Sequence, residues 1–433
     1  MTKKNIFKSF TLSLIIFLIM PLAVSIKTNA STNLPDIISE AAIVMDYDTG
    51  EIIYEKNANN KMFLASTTKL MTALLFAENK SKTDTITYTD SAKAQPPYTM
   101  DSEQMKPSGK SMMVGDTLDG DTTMKELLLF SANDAAYMIA DSVSGSTEAF
   151  VSLMNSKASE FGLNNTHFEN PNGLPIDNQD VNYSTAYELA IITKKAFEND
   201  WVRETLQLSK STVMLPRDTR INLESRNTEL NINGNIGGKT GVTDNAGTCF
   251  AGVYERNGRK LIGVVLKCDR NSNTKRFEDL NKMMNYSYPL EKSIYKAAGE
   301  EIDSVELSYK LFGFFGPSKT ITAPVVLDEN AMLYDNSINN SEASIKLNST
   351  SEDAWKAASE GKITLSLSVK QYSTEIQGKI NLSTSDIIKA NLGFYIATIA
   401  IIIVILILIT FIVKVIKNSS SRNSKKRRKK RRY

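Results

Sequence analysis

Ser66 and Lys69 stand three residues apart in Leu64-Ala65-Ser66-Thr67-Thr68-Lys69-Leu70-Met71. Apolar residues at 70, 71, 74 and 75 recur at helical spacing, so a helix should enter a core here with Ser66 at its start. On such a helix the two side chains share a face, and a serine beside an amine can be a nucleophile with its base attached. The competing reading is a capping serine and a solvated lysine. The spacing alone leaves both open, because Ser272/Lys275, Ser293/Lys296 and Ser359/Lys362 repeat it.

Two further clusters add chemistry. Lys239-Thr240-Gly241 occurs once and precedes Val242-Thr243. Its lysine supplies positive potential, its threonine hydroxyl can hold a carboxylate, and its glycine lets a substrate approach the backbone. Ser131-Ala132-Asn133 supplies a hydroxyl and an amide between two helices. S-x-N also occurs at Ser31, Ser225, Ser337 and Ser421, so only the ordered conjunction of the three clusters is specific.

The chemistry left over is limited. Cys249 and Cys268 are the two cysteines, too few for a disulfide scaffold or a cysteine-rich zinc site. His167 is the single histidine, so H-E-x-x-H zinc chemistry is impossible and any Ser-His-Asp triad would have to use it. It lies among turn-forming residues in Asn165-Thr166-His167-Phe168-Glu169-Asn170 and reads as structural.

The elements that must position these residues are legible. Ala41–Met45 and Glu51–Tyr54 flank Asp48-Thr49-Gly50, a hairpin signal. Helices are expected over Met124–Phe130, from Asp134 through Ala140, over Thr147–Glu160 and over Thr185–Phe197, with a Gly/Asn/Pro-rich loop at 162–183. Gly247–Tyr254 and Lys260–Leu266 flank Asn257-Gly258, a strong hairpin signal, and Lys239 would lie on the strand before them. With 256 facing 259, Cys249 would face Leu266 and Cys268 would face Gly247. The thiols would then sit diagonally, about 7–8 Å apart at the backbone, slightly beyond disulfide reach. A helix over 275–298 completes an α+β arrangement. From Glu300 to about Ser385 four alternating runs, Val305–Tyr309, Lys319–Ala323, Ala343–Leu347 and Ile363–Val369, predict a small all-β domain.

The ends set the address. Lys3, Lys4 and Lys8 precede the apolar run Ile15–Met20, and Thr28-Asn29-Ala30 offers a cleavage site, so residues 1–30 read as a secretory signal; an uncleaved anchor is the competing reading. Leu392–Val413 carries no charge and is long enough to span a bilayer. Eleven Lys or Arg and no acid follow in 414–433, which keeps that tail cytoplasmic and the rest outside. The signal region holds four further basic residues and no acid. That leaves 36 basic against 48 acidic residues over 31–413, a poor match for nucleic acid. The expected domains are 31–298 (catalytic), 299–387 (β-rich), 388–413 (transmembrane helix) and 414–433 (basic tail).

The three clusters together resemble the active-site serine penicillin-recognising enzymes, whose marks are S-x-x-K, S-x-N and K-T-G. The likeness is greatest to the serine D-alanyl-D-alanine carboxypeptidases, the low-molecular-mass penicillin-binding proteins, and covers roughly residues 35–290. It extends through Asp46–Gly50, Leu127–Ala136, Phe161–Phe168 and Gly238–Thr243. Leu64 stands where such enzymes often have proline, and the spanning anchor is firmer than the amphipathic helix of some members.

The resemblance implies a transpeptidase/β-lactamase-like catalytic domain that releases the last D-alanine of peptidoglycan stem peptides and is acylated by β-lactams. It assigns catalytic roles to Ser66, Lys69 and Ser131. It assigns substrate binding to Asn133, Lys239, Thr240, Gly241 and Val242, with Arg226 a weaker candidate for the carboxylate. Backbone amides of Ser66 and Val242 would form the oxyanion hole, and no cofactor or metal is implied. Burial and the Lys239 charge are expected to lower the Lys69 pKa. The alternatives are a β-lactamase using Glu169 to activate water, and a membrane-tethered sensor that binds without turnover.

Overall fold

The computed structural model describes residues 33–348 and 353–429, with side chains as far as Ser420. The expected signal segment and the last tail residues lie outside the described residues.

A five-stranded antiparallel sheet organises the first three hundred residues. Strands β1 (Ala41–Asp46) and β2 (Ile52–Lys56) form the expected hairpin, and Asp46 Oδ1 accepts from the amides of Asp48 and Thr49 to tie its turn. Strands β3 (Asn235–Thr243), β4 (Gly247–Arg256) and β5 (Arg259–Cys268) follow, and the spatial order is β2-β1-β5-β4-β3. Both faces are covered, so the central strands read as continuous apolar runs rather than clean alternations. Alternate residues serve two cores: Ile43, Met45, Val264 and Leu266 face one, and Ala42, Val44, Leu261 and Val265 the other.

On the first face lie α1 (Lys69–Asn79), α2 (Asn133–Ser144), α3 (Thr147–Glu160) and α4 (Ala186–Glu198). On the second lies α5 (Lys275–Ser287), which packs Phe277, Leu280, Met283 and Met284 onto the sheet. The sequence predicted α5 to run to 298. It ends at Ser287 because Pro289 cannot donate an amide and restricts the residue before it.

The β4–β5 hairpin keeps the expected register from Arg256↔Arg259 to Phe250↔Val265, and then slips. Cys268 faces Thr248, not Gly247, and Cys249 does not face Leu266. Lys267 is left-handed (φ 54°) at the slip, a bulge that local sequence does not announce. Both thiols are free, as the register argument expected, although the register itself differs; both are also buried, which it did not foresee. Cys249 Sγ lies 3.4 Å from the Ala246 carbonyl, while Cys268 Sγ lies 3.7 Å from Asp279 Oδ2.

A second antiparallel sheet is built from β6 (Glu301–Lys310), β7 (Ser318–Leu327), β8 (Ser344–Leu347), β9 (Lys362–Val369) and β10 (Tyr372–Ile380), in the order β6-β7-β10-β9-β8. The run Tyr372–Ile380 alternates like its neighbours but was not among the expected strands. The Gln371 side chain, at the β9–β10 turn, donates to the Phe161 carbonyl (2.7 Å), and its backbone amide donates to the Tyr187 hydroxyl (3.3 Å). A short helix, Thr384–Ala390, then buries Ile387 and leads into α6 (Leu392–Lys429). Residues Leu392–Ser420 of α6 are long and apolar enough to cross a membrane.

Candidate active site

Ser66 does not cap α1. It lies inside a 3₁₀ turn, Ala65–Thr68, that runs into the helix, and it makes no capping bond. Ala65 before it is left-handed (φ 46°), a strained conformation for a residue with a Cβ. The tighter 3₁₀ pitch brings residues three apart into register, which places Ser66 against Lys69.

Lys69 Nζ donates to Ser66 Oγ at 3.0 Å, to Asn133 Oδ1 at 3.1 Å and to the Asn172 carbonyl at 2.9 Å. The residue is fully buried. Burial lowers its pKa to about 7, against an opposing pull from Asp134. The expected contribution from Lys239 is not what lowers it; that repulsion falls instead on Lys239. There burial comes first and the Lys69 and Arg226 charges follow, and together they push the ammonium well below its ordinary range.

Ser131 closes the helical segment 126–130 in a left-handed conformation (φ 75°), which turns the chain abruptly before α2. Lys239, from edge strand β3, donates to Ser131 Oγ at 2.9 Å and to the Thr240 carbonyl at 3.1 Å. Two serine–lysine pairs therefore meet across the Ser131-Ala132-Asn133 segment. Asn133 bridges them to the far wall, donating to the Pro97 carbonyl at 3.2 Å.

Strand β3 packs against the turn that carries Ser66. A Cβ built on Gly241 would lie 2.9 Å from the Leu64 carbonyl and 3.0 Å from the Ser66 amide, so only glycine allows this approach. Thr240 is nearly buried, and Val242 stands exposed on the edge. Arg226 joins the same neighbourhood through the hydrogen bond that its backbone amide donates to the Leu129 carbonyl. Its guanidinium lies over the rings of Tyr98 (4.6 Å) and Phe130 (5.4 Å), which stack on each other at 5.0 Å.

The spacing of motifs did not reveal the floor. The Asn170-Pro171-Asn172-Gly173 loop supplies the carbonyl that receives Lys69, and Asn172 Nδ2 is held by Gln95 Oε1 at 3.0 Å. Thr72 fastens Pro171 at 2.6 Å. Backbone carbonyls carry no sequence signature, although the Asn/Pro/Gly run did mark the loop. Gly173 is left-handed (φ +83°), and a Cβ there would come within 1.9 Å of the Ala65 carbonyl. Gly173→Ala should destabilise the protein by roughly 3 kcal/mol, because overpacking and backbone strain each cost about 1–3 kcal/mol. Thermal unfolding of the purified variant checks this.

Two buried acids also escaped notice. Asp134 accepts from the Met100 amide at 3.0 Å and that of Ala135 at 3.0 Å, and burial raises its pKa to about 7. Glu126 is raised to about 8 by burial and takes a bond from Gln104 at 3.1 Å. Glu169, by contrast, is half exposed and pairs with His167 at 2.5 Å, which gives the lone histidine a local surface partner. Among the described residues no group of His, Cys, Asp and Glu could hold a metal ion.

A buried amine bonded to a serine, with a second lysine–serine pair beside it, defines the penicillin-recognising class of serine enzyme. Solved structures agree: that of penicillin-binding protein D2 from Listeria monocytogenes with bound cefotaxime is 31% identical over 59% of this chain and 99% of that one, with a TM-score of 0.51. Residues 27–270 match the peptidase S11 family profile, D-alanyl-D-alanine carboxypeptidase, and the chain belongs to that family of serine peptidases. Among curated relatives, the D-alanyl-D-alanine carboxypeptidase DacF of Bacillus subtilis is 29% identical over 58% of this chain and 62% of its own length. The D-alanyl-D-alanine carboxypeptidase of Streptomyces sp. strain K15 is 31% identical over 59% of this chain and 89% of its own.

Proposed function

We propose that this chain removes the terminal D-alanine from peptidoglycan stem peptides ending in D-Ala-D-Ala, through an acyl-enzyme on Ser66. The observation that carries the reading is the fully buried Lys69 amine 3.0 Å from Ser66 Oγ. Ser66 Oγ attacks the carbonyl carbon between the two D-alanines while Lys69 Nζ takes its proton. The backbone amides of Ser66 and Val242 receive the developing oxyanion. Ser131 relays to the departing amine the proton that Lys69 took, and Lys239 holds the Ser131 hydroxyl from its other side. Asn133 holds the substrate's peptide, and Lys239 and Thr240 hold its terminal carboxylate, with Gly241 keeping the strand close. Arg226 adds positive potential from the aromatic wall. Water then cleaves the ester and restores Ser66. β-Lactams acylate the same serine and leave slowly.

Incubating the purified protein with a muramyl pentapeptide and measuring free D-alanine tests this reading. Absence of release would favour a tethered sensor that binds without turnover. The lactamase reading is weaker, because Glu169 is committed to His167 at the surface. Glu169→Ala should leave penicillin deacylation within about twofold of the parent, since exposed residues outside a site rarely matter. Stopped hydrolysis of a chromogenic β-lactam gives the comparison.

The placement we propose is a catalytic domain over 31–298 and a β-rich domain over 299–387, both outside the cell. A single span over 388–413 and a cytoplasmic basic tail over 414–433 complete it. Ile387 is buried in the β-sheet unit and Asn391 donates to the Tyr309 hydroxyl at 2.6 Å. A soluble form should therefore end after Asn391 and not at Ser385, where it would lose both contacts. Chain ending at 391 should leave the membrane fraction on signal cleavage and keep D-alanine release; retention in membranes would contradict a single anchor.

A further inference from the structure

The tip of the β6–β7 hairpin is apolar where hairpin tips are usually polar. Residues 311–318, Leu-Phe-Gly-Phe-Phe-Gly-Pro-Ser, carry no charge, and Lys310 and Lys319 flank them. Phe314 is 90% exposed and Phe315 is 55% exposed. Phe315 stacks on Phe312 at 5.0 Å, so the rings form one patch rather than scattered side chains.

That patch is joined to the first turn of α6. The Tyr395 hydroxyl donates to the Leu311 carbonyl at 2.6 Å, and its ring meets Phe312 edge-on at 5.7 Å. Lys319 Nζ lies 3.9 Å from the centre of the Phe394 ring. With the Asn391–Tyr309 bond, these contacts fix the start of α6 to the sheet, leaving no slack linker between them. The uncharged run Leu392–Val413 is about 33 Å long as a helix, close to the hydrocarbon thickness of a bilayer, so residues 392–395 fall at its boundary.

We infer that the Phe312–Phe315 tip sits in the headgroup–acyl boundary beside the first turn of the span and holds the β-sheet unit against the bilayer. The inference rests on reading Leu392–Val413 as membrane-spanning. Aromatic rings favour that depth, and lysines on either side stay at the headgroups. The tip is continuous with the span's own surface, which selects lipid over a protein partner as its occupant. One helix alone would leave the catalytic unit free to tilt; a second contact beside it restrains that motion.

The full chain, reconstituted into vesicles of phosphatidylglycerol and phosphatidylethanolamine, tests this. Phe314→Cys, Phe315→Cys, Ile402→Cys and Thr212→Cys are labelled singly with an environment-sensitive dye. The native thiols stay unlabelled because both are buried. Expected are a blue-shifted emission and quenching by shallow doxyl lipids at 314 and 315, quenching by deep ones at 402, and neither at the exposed strand site 212. Quenching at 402 without any at 314 and 315 would overturn the inference and leave the span intact. No quenching at 402 would overturn both. Dye at 314 and 315 that is shielded from aqueous iodide yet untouched by doxyl lipid would assign the patch to a protein partner, also overturning it.

Discussion

Ser66→Ala should abolish both covalent labelling by penicillin and release of D-alanine, while the folded protein should unfold at nearly its parent temperature. The expectation follows from exposure and bonding. Ser66 is partly accessible and its hydroxyl accepts from Lys69 without supporting any other element, so its loss removes a nucleophile and little packing. Lys69→Arg should be nearly as damaging to activity, since a guanidinium stays protonated and cannot accept the serine's proton. It should also destabilise the fold. Lys69 occupies a fully buried site sized for one amine with three acceptors, and a planar fork cannot satisfy all three. Loss of activity should reach several orders of magnitude, as removal of a nucleophile or its base does elsewhere. Mass spectrometry of the penicillin adduct locates the ester. An adduct on any serine other than Ser66 would sink the assignment.

The parts of this molecule visible in the sequence are those where a short local pattern maps onto one local geometry. Asn257-Gly258 and Asp48-Thr49-Gly50 each made the expected turn, because left-handed positions are met by residues that tolerate them. Helices Thr147–Glu160 and Ala186–Glu198 appeared within a residue of expectation, each started by a side-chain cap on Ser146 or Thr185. The candidate site side chains were legible as types, since Ser66, Lys69, Ser131, Asn133 and Lys239 do come together.

What failed depended on non-local packing. The bulge at Lys267 that moves Cys268 arises where β5 must serve β1 and β4 at once. The strain at Ala65 and the 3₁₀ turn around Ser66 are imposed by β3 and the Gly173 loop pressing from two sides. A carbonyl such as that of Asn172 is available at every residue, so only the fold can say which one meets the amine. Burial of Asp134 and Glu126 likewise contradicts their type. Both sit in Leu/Ala-rich helical segments whose apolar faces suggested only packing.

Acylation by a β-lactam should rise about tenfold per pH unit below pH 7 and level off above it. Only neutral Lys69 can act as base. With a pKa of about 7 it is neutral in about half the molecules at pH 7 and in about a tenth at pH 6. An ordinary lysine, with its pKa near 10.4, would be neutral in about one molecule in 2,500 at pH 7, so burial is worth about three orders of magnitude in competent base. Two influences on the amine act in opposite directions. Burial disfavours the Lys69 ammonium, whereas ionised Asp134 favours it; the repulsion between the two lysines falls on Lys239. Asp134 titrates near the same pH, so the two groups share macroscopic steps rather than owning one each. Asp134→Asn removes the anion and should move the rising limb to lower pH. It should also weaken the 100–101 turn that Asp134 holds, which thermal unfolding would register separately. Second-order acylation constants between pH 5 and 9 decide the matter. A flat profile in the parent would show that Lys69 is not the base, and an Asp134→Asn limb left in place would show that the acid is not ionised beside it.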